Sequence, residues 1–335
     1  MTAEFVAVVA VILVSMAFDY TNGFHDAANA IATSVSTRAL TPRVALGLAA
    51  VGNLVGAYFG AGVAKTVGEG LVTLPQGTAS LGVVFAGVLG AIAWNLITWY
   101  FGLPSSSSHA LFGGLVGATI FAADGVVHWD TISKKVIVPM VLSPIVGGIL
   151  GFLVMLAVLW IFRKGNPRKL NRGFRTAQTI SAGAMAIGHG MQDAAKTMGI
   201  IVLALFTGGF QSSRTHIPWW VFFTSAAVLA LGTYSGGWRI IRTLGRKVID
   251  LGPPEGFAAE AVASSVLYFN ALVLKAPIST THTITSAIMG VGATKRLSAV
   301  RWSVAGNIVM AWIMTFPAAG AIAVVAYFVV RPLFS

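Results

Sequence analysis

The sequence has no cysteine and few charged residues. None of its 335 residues is Cys, and Asp, Glu, Lys and Arg together make up only 10%. The missing cysteines exclude disulfides, thiolate metal sites and cysteine nucleophiles. Soluble domains carry about 25% charged residues, so this chain cannot cover the surface of a water-exposed globule of its size. The composition therefore excludes a soluble enzyme, a disordered chain and a fibrous repeat.

Apolar sequence dominates the chain instead. Hydrophobic residues make up 56%, and the mean hydropathy is +0.82. The apolar blocks are long and rich in Gly and Ala, whereas a membrane β-barrel needs short segments of alternating polarity. At about 20 residues per span the chain has room for roughly ten membrane segments, and breaks inside helices widen that count to about 8–12. The sequence therefore predicts an all-α integral membrane protein.

Basic residues outnumber acidic ones and give a formal net charge of +12. They fall between the apolar blocks, so we expect no nucleic-acid partner and assign the excess to membrane topology, with anionic lipid headgroups as an alternative. If the basic linker 163–175 is cytoplasmic, 15 basic residues lie in inner loops and 6 in outer loops and termini. This bias predicts a multi-pass protein of the cell (plasma) membrane with both termini outside.

Two motifs each occur twice in the chain. Residues 23–29 resemble 190–196, and residues 104–109 resemble 277–282. Each half crosses the membrane an odd number of times in the predicted topology, so the copies must be inverted. Inverted repeats with discontinuous helices are typical of secondary transporters, whose substrate site lies near the midplane. We therefore expect a first repeat, a basic cytoplasmic linker and a second repeat at 1–162, 163–175 and 176–335.

A polar sequence interrupts the first apolar block. Asn22-Gly23 is a turn signal and predicts a break in the first helix. Asp26 and Asn29 are three residues apart, so they share a helix face and offer the oxygen ligands that suit Na⁺. Capping of a half-helix by Asp26 is the alternative, although carboxylates inside a membrane are costly and usually functional.

The second copy has an acidic residue at the same place. Asp193 corresponds to Asp26, so we expect it to act in the same site. Lys196 follows Asp193 by three residues, and a purely structural salt bridge between the two is the alternative.

Runs of Ser and Thr follow a proline in both copies. Pro104 and Pro277 each favour a break in the helix before the run. Hydroxyls and free amides at the start of a half-helix surround a tetrahedral oxyanion without a fixed cation. The repetition of the run favours anion binding over simple helix capping.

Five further polar residues lie at membrane depth. One histidine occurs in each motif, and none shows an intrahelical zinc-ligand spacing, so we favour polar packing or proton-sensitive roles. Glu260 is the other acidic residue; a cation ligand and a helix–helix hydrogen bond are equal alternatives for it. We expect no cofactor and no metal beyond Na⁺. The histidines are His25, His109, His189 and His282.

At residues 22–35, 188–203 and the two Ser/Thr runs, the sequence resembles the inorganic phosphate transporter family of the bacterial low-affinity type. The resemblance covers nearly the whole chain and implies an inverted repeat that carries phosphate together with Na⁺ or H⁺. The motif varies: His25 precedes the first aspartate, and Gln192 stands where asparagine is common. For the cation site the resemblance implies Asp26, Asn29 and Asp193, and we add Gln192 and Thr197 of the second copy to the prediction. For phosphate it implies Ser106, Ser107, Ser108, Ser279, Thr280 and Thr281, and we add Gly23 and Gly190 at the expected broken helix ends.

These observations predict a symporter for inorganic phosphate, not an enzyme. A cation neutralises Asp26 and Asp193, which favours entry of the anion, and the two halves then rock to expose the site to the other side. A sulfate permease of the same family, a carrier of another oxyanion and an anion channel are alternatives. A membrane-embedded hydrolase is disfavoured because Ser108 and His109, adjacent on a helix, point about 100° apart. The sequence does not decide whether the chain forms a homodimer.

Overall fold

A computed structural model describes residues 2–123 and 125–334, and these are almost entirely helical. The described part has thirteen α-helices, three π-helical segments and one two-stranded antiparallel ladder of β1 (Val72–Thr73) and β2 (Val126–Val127). The π-helical segments are Ser133–Ile137, Thr243–Lys247 and Phe269–Leu274. The α-helices are α1 Ala3–Ser36, α2 Pro42–Tyr58, α3 Ala61–Gly70, α4 Thr78–Phe101, α5 Ser107–Ile120, α6 Trp129–Ile132, α7 Val138–Ile161, α8 Pro167–Thr207, α9 Trp219–Ser235, α10 Trp238–Arg242, α11 Pro253–Tyr268, α12 Thr280–Ala293 and α13 Trp302–Val330.

Five helical stretches of the described chain are long and apolar enough to cross a membrane. They are Ala3–Ser36, Thr78–Phe101, Trp129–Ile161, Pro253–Leu274 and Trp302–Leu333. The pair α2 and α3, bent by 69°, makes a sixth if it is counted as one span. This is fewer than the roughly ten segments predicted, because α5 and α12 have only 14 residues each and α8 carries the basic linker.

α1 and α8 are the helices that carry the repeated aspartate motif. With 34 and 41 residues, they extend about 50 and 60 Å, longer than the roughly 30 Å of a bilayer core. They contact each other and run antiparallel. Thr37 at the end of α1 bonds Gln178 near the start of α8, whereas Phe5 at the start of α1 contacts Phe210 just beyond the end of α8.

The predicted break at Asn22-Gly23 is wrong, because α1 is one continuous helix. Gly23 serves close packing instead: a Cβ there would lie 2.5 Å from the carbonyl oxygen of Leu229 in α9. Gly190 packs in the same way against the backbone of Asn53 in α2. Glycine at such contacts lets two helix backbones approach closely.

The two predicted breaks at proline are present. α4 ends at Phe101 and α5 begins at Ser107, and α12 begins at Thr280 after a nonhelical segment that includes Pro277. Ser106 and Ser279 are the N-caps, each accepting a hydrogen bond from the backbone N–H three residues on, at 3.2 and 3.1 Å. Such caps stabilise a helix start by about 1 kcal/mol.

Helices from the two halves of the chain pack against each other reciprocally. α1 packs on α9, and α8 packs on α2; α5 packs on α13, and α12 packs on α7. Glycines again permit these contacts, for example Gly113 against the backbone of Phe316 and Gly147 against that of Thr283. The halves therefore interlock, and residues distant in sequence meet at the centre.

Candidate functional site

The two repeated aspartates meet where α1 crosses α8. Asp26, His189 and Asp193 each present one ligand atom within 4.8 Å of the others. The two aspartates are 3% and 1% exposed. Two carboxylates this close in a buried place repel each other unless positive charge or a proton lies near them. The structure thus brings together the pair on which the predicted cation site depends.

Asn29 links the first aspartate to the start of α12. Its Nδ2 donates to the hydroxyls of Thr280 and Thr281, at 3.1 and 2.8 Å. Thr281 in turn donates to Oδ1 of Asp26 at 3.4 Å. The Oδ1 atom of Asn29 is buried and has no hydrogen-bond partner among the described residues. Asp26, Thr281 and this free oxygen form an oxygen-rich corner.

Lys196 occupies the corresponding corner of the second half. Its ammonium lies 2.6 Å from Oδ1 of Asp193 and donates to the hydroxyl of Ser108 and, at 3.5 Å, to the carbonyl of Ile278. His189 Nε2 is 2.9 Å from the other oxygen of Asp193, in a geometry that does not align a hydrogen bond. The ion pair between Asp193 and Lys196 that their spacing allowed is therefore present.

His25 and Gln192, which immediately precede the two aspartates, contact the segments that lead into α5 and α12. His25 Nδ1 is 2.7 Å from Asp26, and its Nε2 is 3.0 Å from the hydroxyl of Thr98 at the end of α4. Gln192 donates to the carbonyl of Ala276 at 3.3 Å and accepts from the N–H of Ile278 at 3.1 Å. Gln192 thus clamps the loop before α12 and does not contact the aspartates through these bonds.

The N-termini of α5 and α12 face each other beside the aspartates. The rings of His109 and His282 are 4.8 Å apart, and the hydroxyl of Ser108 lies 3.4 Å from the carbonyl of Ile278. Both helix starts direct their unbonded N–H groups and the positive ends of their dipoles toward the centre. Ser107 adds a buried hydroxyl that has no partner in the described chain. This arrangement favours a polyvalent anion.

All the Ser and Thr residues predicted to bind phosphate lie at these two helix starts and are buried, but their hydroxyls make different contacts. Ser106 and Ser279 accept the capping bonds, and Ser108 is bonded to Lys196. Gly23 and Gly190, predicted at broken helix ends, instead lie at contacts between continuous helices.

Asp19 is a buried carboxylate that the sequence reasoning did not assign. It is 0% exposed, and neither of its oxygens has a hydrogen-bond partner in the described chain, although Thr197 faces it. The signal was available: Asp19, Asn22, Asp26 and Asn29 follow each other at spacings of three and four, which places them on one helix face. Thr197, predicted at the cation site, lies one turn beyond Asp193 and faces the carboxylate of Asp19.

Glu260 forms a separate buried cluster between α1, α8 and α11. Thr33 and Ser181 each donate to its carboxylate at 2.5 Å, and Gln178 donates at 3.4 Å. Three donors satisfy the carboxylate without a cation. Of the two alternatives for Glu260, the geometry favours the helix–helix hydrogen bond.

Comparisons with known proteins agree over nearly the whole chain. The family model described as the phosphate transporter family matches residues 22–323. A probable low-affinity inorganic phosphate transporter of Rhizobium meliloti (strain 1021) is 47% identical over 98% of this chain and 97% of its own. One of Bacillus subtilis (strain 168) is 44% identical over 97% of each chain. A solved structure, the sodium-dependent phosphate transporter, has a TM-score of 0.89 at 22% identity and covers 98% of this chain and 99% of its own, which shows a shared fold.

Proposed function

This chain is a multi-pass membrane protein of the phosphate transporter family, and on that premise we propose that it is a symporter that moves inorganic phosphate across the plasma membrane together with Na⁺ or H⁺. The observation that carries the proposal is the meeting of Asp26 and Asp193 beside the starts of α5 and α12. Carboxylates attract a cation, and two positive helix ends attract an anion. The sodium dependence named for the structural relative favours Na⁺.

The anion would lie between the two helix starts. Free N–H groups of α5 and α12 and the hydroxyls of Ser107, Thr280 and Thr281 are the donors that a tetrahedral oxyanion accepts from several directions. The family description and the names of the relatives specify phosphate, and nothing supports the sulfate alternative.

The cation would bind on the Asp26 side. Asp26, the free oxygen of Asn29 and the hydroxyl of Thr281 supply oxygen atoms of the kind that Na⁺ prefers. Since Thr281 belongs to the helix start that faces the anion, a cation there places positive charge next to the phosphate. Each ligand then raises the affinity for the other, and this reciprocity is the basis of coupling.

We also propose that the two halves, 1–162 and 176–335 around the linker 163–175, are inverted copies. The antiparallel course of α1 and α8, the helices with the matching motif, supports the inversion. The reciprocal packing of α1 on α9 and of α8 on α2 supports it as well. Rocking of the interlocked halves around the buried site would expose it to each side in turn, as inverted-repeat transporters do.

The distribution of basic residues supports a cytoplasmic linker and outer termini. Arg242 and Arg246, predicted in inner loops, line one cavity with the end of α1. Lys65, Lys135 and Lys275, predicted in outer loops, line another cavity together. These two inner residues and these three outer residues are thus each close together in space, which is consistent with the proposed topology.

A carrier fits the site better than an enzyme or a channel. The hydroxyl of Ser108 is bonded to Lys196, and the relatives are named as transporters. The site residues Asp26, Asn29, Ser108 and Asp193 are at most 3% exposed, which is expected of an occluded state of a carrier.

Uptake of radiolabelled phosphate into proteoliposomes tests the proposal. We expect an inward Na⁺ or H⁺ gradient to concentrate phosphate, with little competition from sulfate. Asp26→Asn, which keeps the size of the side chain but removes its charge, should abolish accumulation. Equal accumulation by D26N, or phosphate flux that no cation gradient drives uphill, would contradict symport at this site.

A further inference from the structure

We infer that the ammonium of Lys196 is a tethered cation that permanently fills the second half's counterpart of the Asp26 cation site, so that only the Asp26 side binds a mobile cation. The inference rests on the proposed function, because it concerns how many cations accompany each phosphate. It follows from the difference between Asn29 and Lys196 at matching positions of the two motifs.

The surroundings of Lys196 are those of a bound cation. Its side chain is 1% exposed, and its ammonium contacts a carboxylate (Asp193), a hydroxyl (Ser108) and a backbone carbonyl (Ile278). These three kinds of oxygen are the ligands that hard cations take in proteins. A buried lysine needs such partners, because an unpaired ammonium in this place would be strongly destabilising.

The first half has a matching carboxylate and a matching hydroxyl without the ammonium. Asp26 corresponds to Asp193, and Thr281 corresponds to Ser108 at the repeat offset. Thr281 contacts Asp26 at 3.4 Å, as Ser108 contacts the partner of Asp193. At the place of Lys196, Asn29 contributes a buried oxygen that has no partner in the described chain.

His25, the histidine beside Asp26, is not repeated in the second motif. His25 contacts Asp26, but its counterpart Gln192 is uncharged and positions a loop, and His25 likewise reaches the loop before α5 through Thr98 and Ser105. Asp26 and Asp193 therefore face one built-in ammonium, so within this matching pair one carboxylate is left for a mobile cation. Asp19 and His189 lie outside the pair, because residues of other types, Ala186 and Asn22, stand at their matching positions. The asymmetry predicts a single coupling cation for each phosphate bound.

The test compares Lys196→Asn, which gives the second half the residue of the first, with the parental chain. With the membrane potential clamped at zero, phosphate accumulation is measured at static head under a tenfold gradient of Na⁺ or of H⁺. We expect about tenfold accumulation in the parental chain with the driving ion, and about a hundredfold in K196N because a second cation binds. Lys169→Asn, in the exposed linker, is the matched control and should behave like the parental chain.

Binding of ²²Na⁺ to the purified chains in detergent gives a readout that does not require transport. We expect K196N to bind one more Na⁺ than the parental chain and to gain thermal stability with added NaCl. Lys196→Met, which offers no oxygen, should show neither gain. Equal losses of stability in K196N and K196M without any Na⁺ dependence would show that Lys196 is only structural and would overturn the inference.

The exponent that relates phosphate accumulation to the cation gradient (the cation exponent) should be one in the parental chain. A value of two there would overturn the inference as well. Failure of the proposed function is distinguishable, because it would appear in the unsubstituted chain as phosphate flux that neither gradient drives. If H⁺ alone drives uptake, the inference still requires the steeper dependence of K196N on the pH gradient, and an unchanged exponent would refute it.

Discussion

Asn29 and Thr281, 252 residues apart, are joined by a 2.8 Å hydrogen bond between the two halves of the chain. The same threonine hydroxyl lies 3.4 Å from Asp26 and belongs to the first turn of α12. One side chain therefore contacts both the proposed cation ligands and the helix start proposed to hold the anion. We expect binding of either ion to shift this hydroxyl, because the contact connects the two proposed sites directly.

Thr281→Val should weaken both ligands at once. Valine keeps the shape but removes the hydroxyl, so Asn29 loses an acceptor and Asp26 loses a donor. We expect the concentrations of phosphate and of driving cation for half-maximal uptake each to rise about tenfold, the equivalent of roughly 1.4 kcal/mol. Thr281→Ser keeps the hydroxyl and is the control. A change in only one of the two concentrations would separate the sites and contradict their connection through Thr281.

The sequence was sufficient for features that depend on local chemistry. Pro104 and Pro277 break helices because proline restricts the residue before it and lacks an N–H, and both breaks are present. The common face of Asp26 and Asn29 follows from helical periodicity alone. Local signals thus predicted the helix starts and the aspartate face.

Features that depend on packing could not be predicted from the sequence in the same way. Asn22-Gly23 has the composition of a turn, but the contact of Gly23 with α9 overrides that preference and keeps α1 continuous. No pattern along the chain could reveal that Gln192 clamps the loop at Ile278, because that contact depends on how the halves interlock. Thr98 and Ser105 were missed as partners of His25 for the same reason.

Gly23→Ala should destabilise the protein by overpacking. The added Cβ would lie 2.5 Å from the carbonyl of Leu229 and 2.8 Å from the amide of Thr233, and both are backbone atoms that cannot rotate away. We expect a loss of about 1–3 kcal/mol, measured as a lower Tm in detergent. Gly47→Ala in α2 is the matched control, because no atom of the described chain outside the adjoining helix backbone lies within 4 Å of its Cβ position, and alanine favours the helix. A Tm of G23A equal to or above that of G47A would contradict the close contact.

Gln192→Leu should impair transport through the loop before α12 without removing a ligand. The substitution deletes the bonds to Ala276 and Ile278 and leaves two backbone groups without their partner. Each buried group left without a partner lowers the free energy of unfolding by about 1–3 kcal/mol. We expect a lower Tm and slower phosphate uptake, with the cation exponent unchanged. Gln192→Glu keeps the acceptor for the N–H of Ile278 and should retain part of the stability; a changed exponent in Q192L would instead assign Gln192 to the cation site.

Glu260→Gln and Glu260→Ala distinguish a structural carboxylate from a cation ligand. In E260A, the donors on Thr33, Ser181 and Gln178 lose their acceptor. We therefore expect the free energy of unfolding to fall by about 1 kcal/mol for each lost hydrogen bond, and the Tm to fall with it. In E260Q one oxygen remains, and the hydroxyl of Ser181 or Thr33 can turn to accept from the new amide, so we expect only about 1 kcal/mol of destabilisation and cation-driven uptake near the parental level. If E260Q folds with a near-parental Tm and yet loses cation-driven accumulation as completely as E260A, the negative charge itself is required, and Glu260 would belong among the cation ligands.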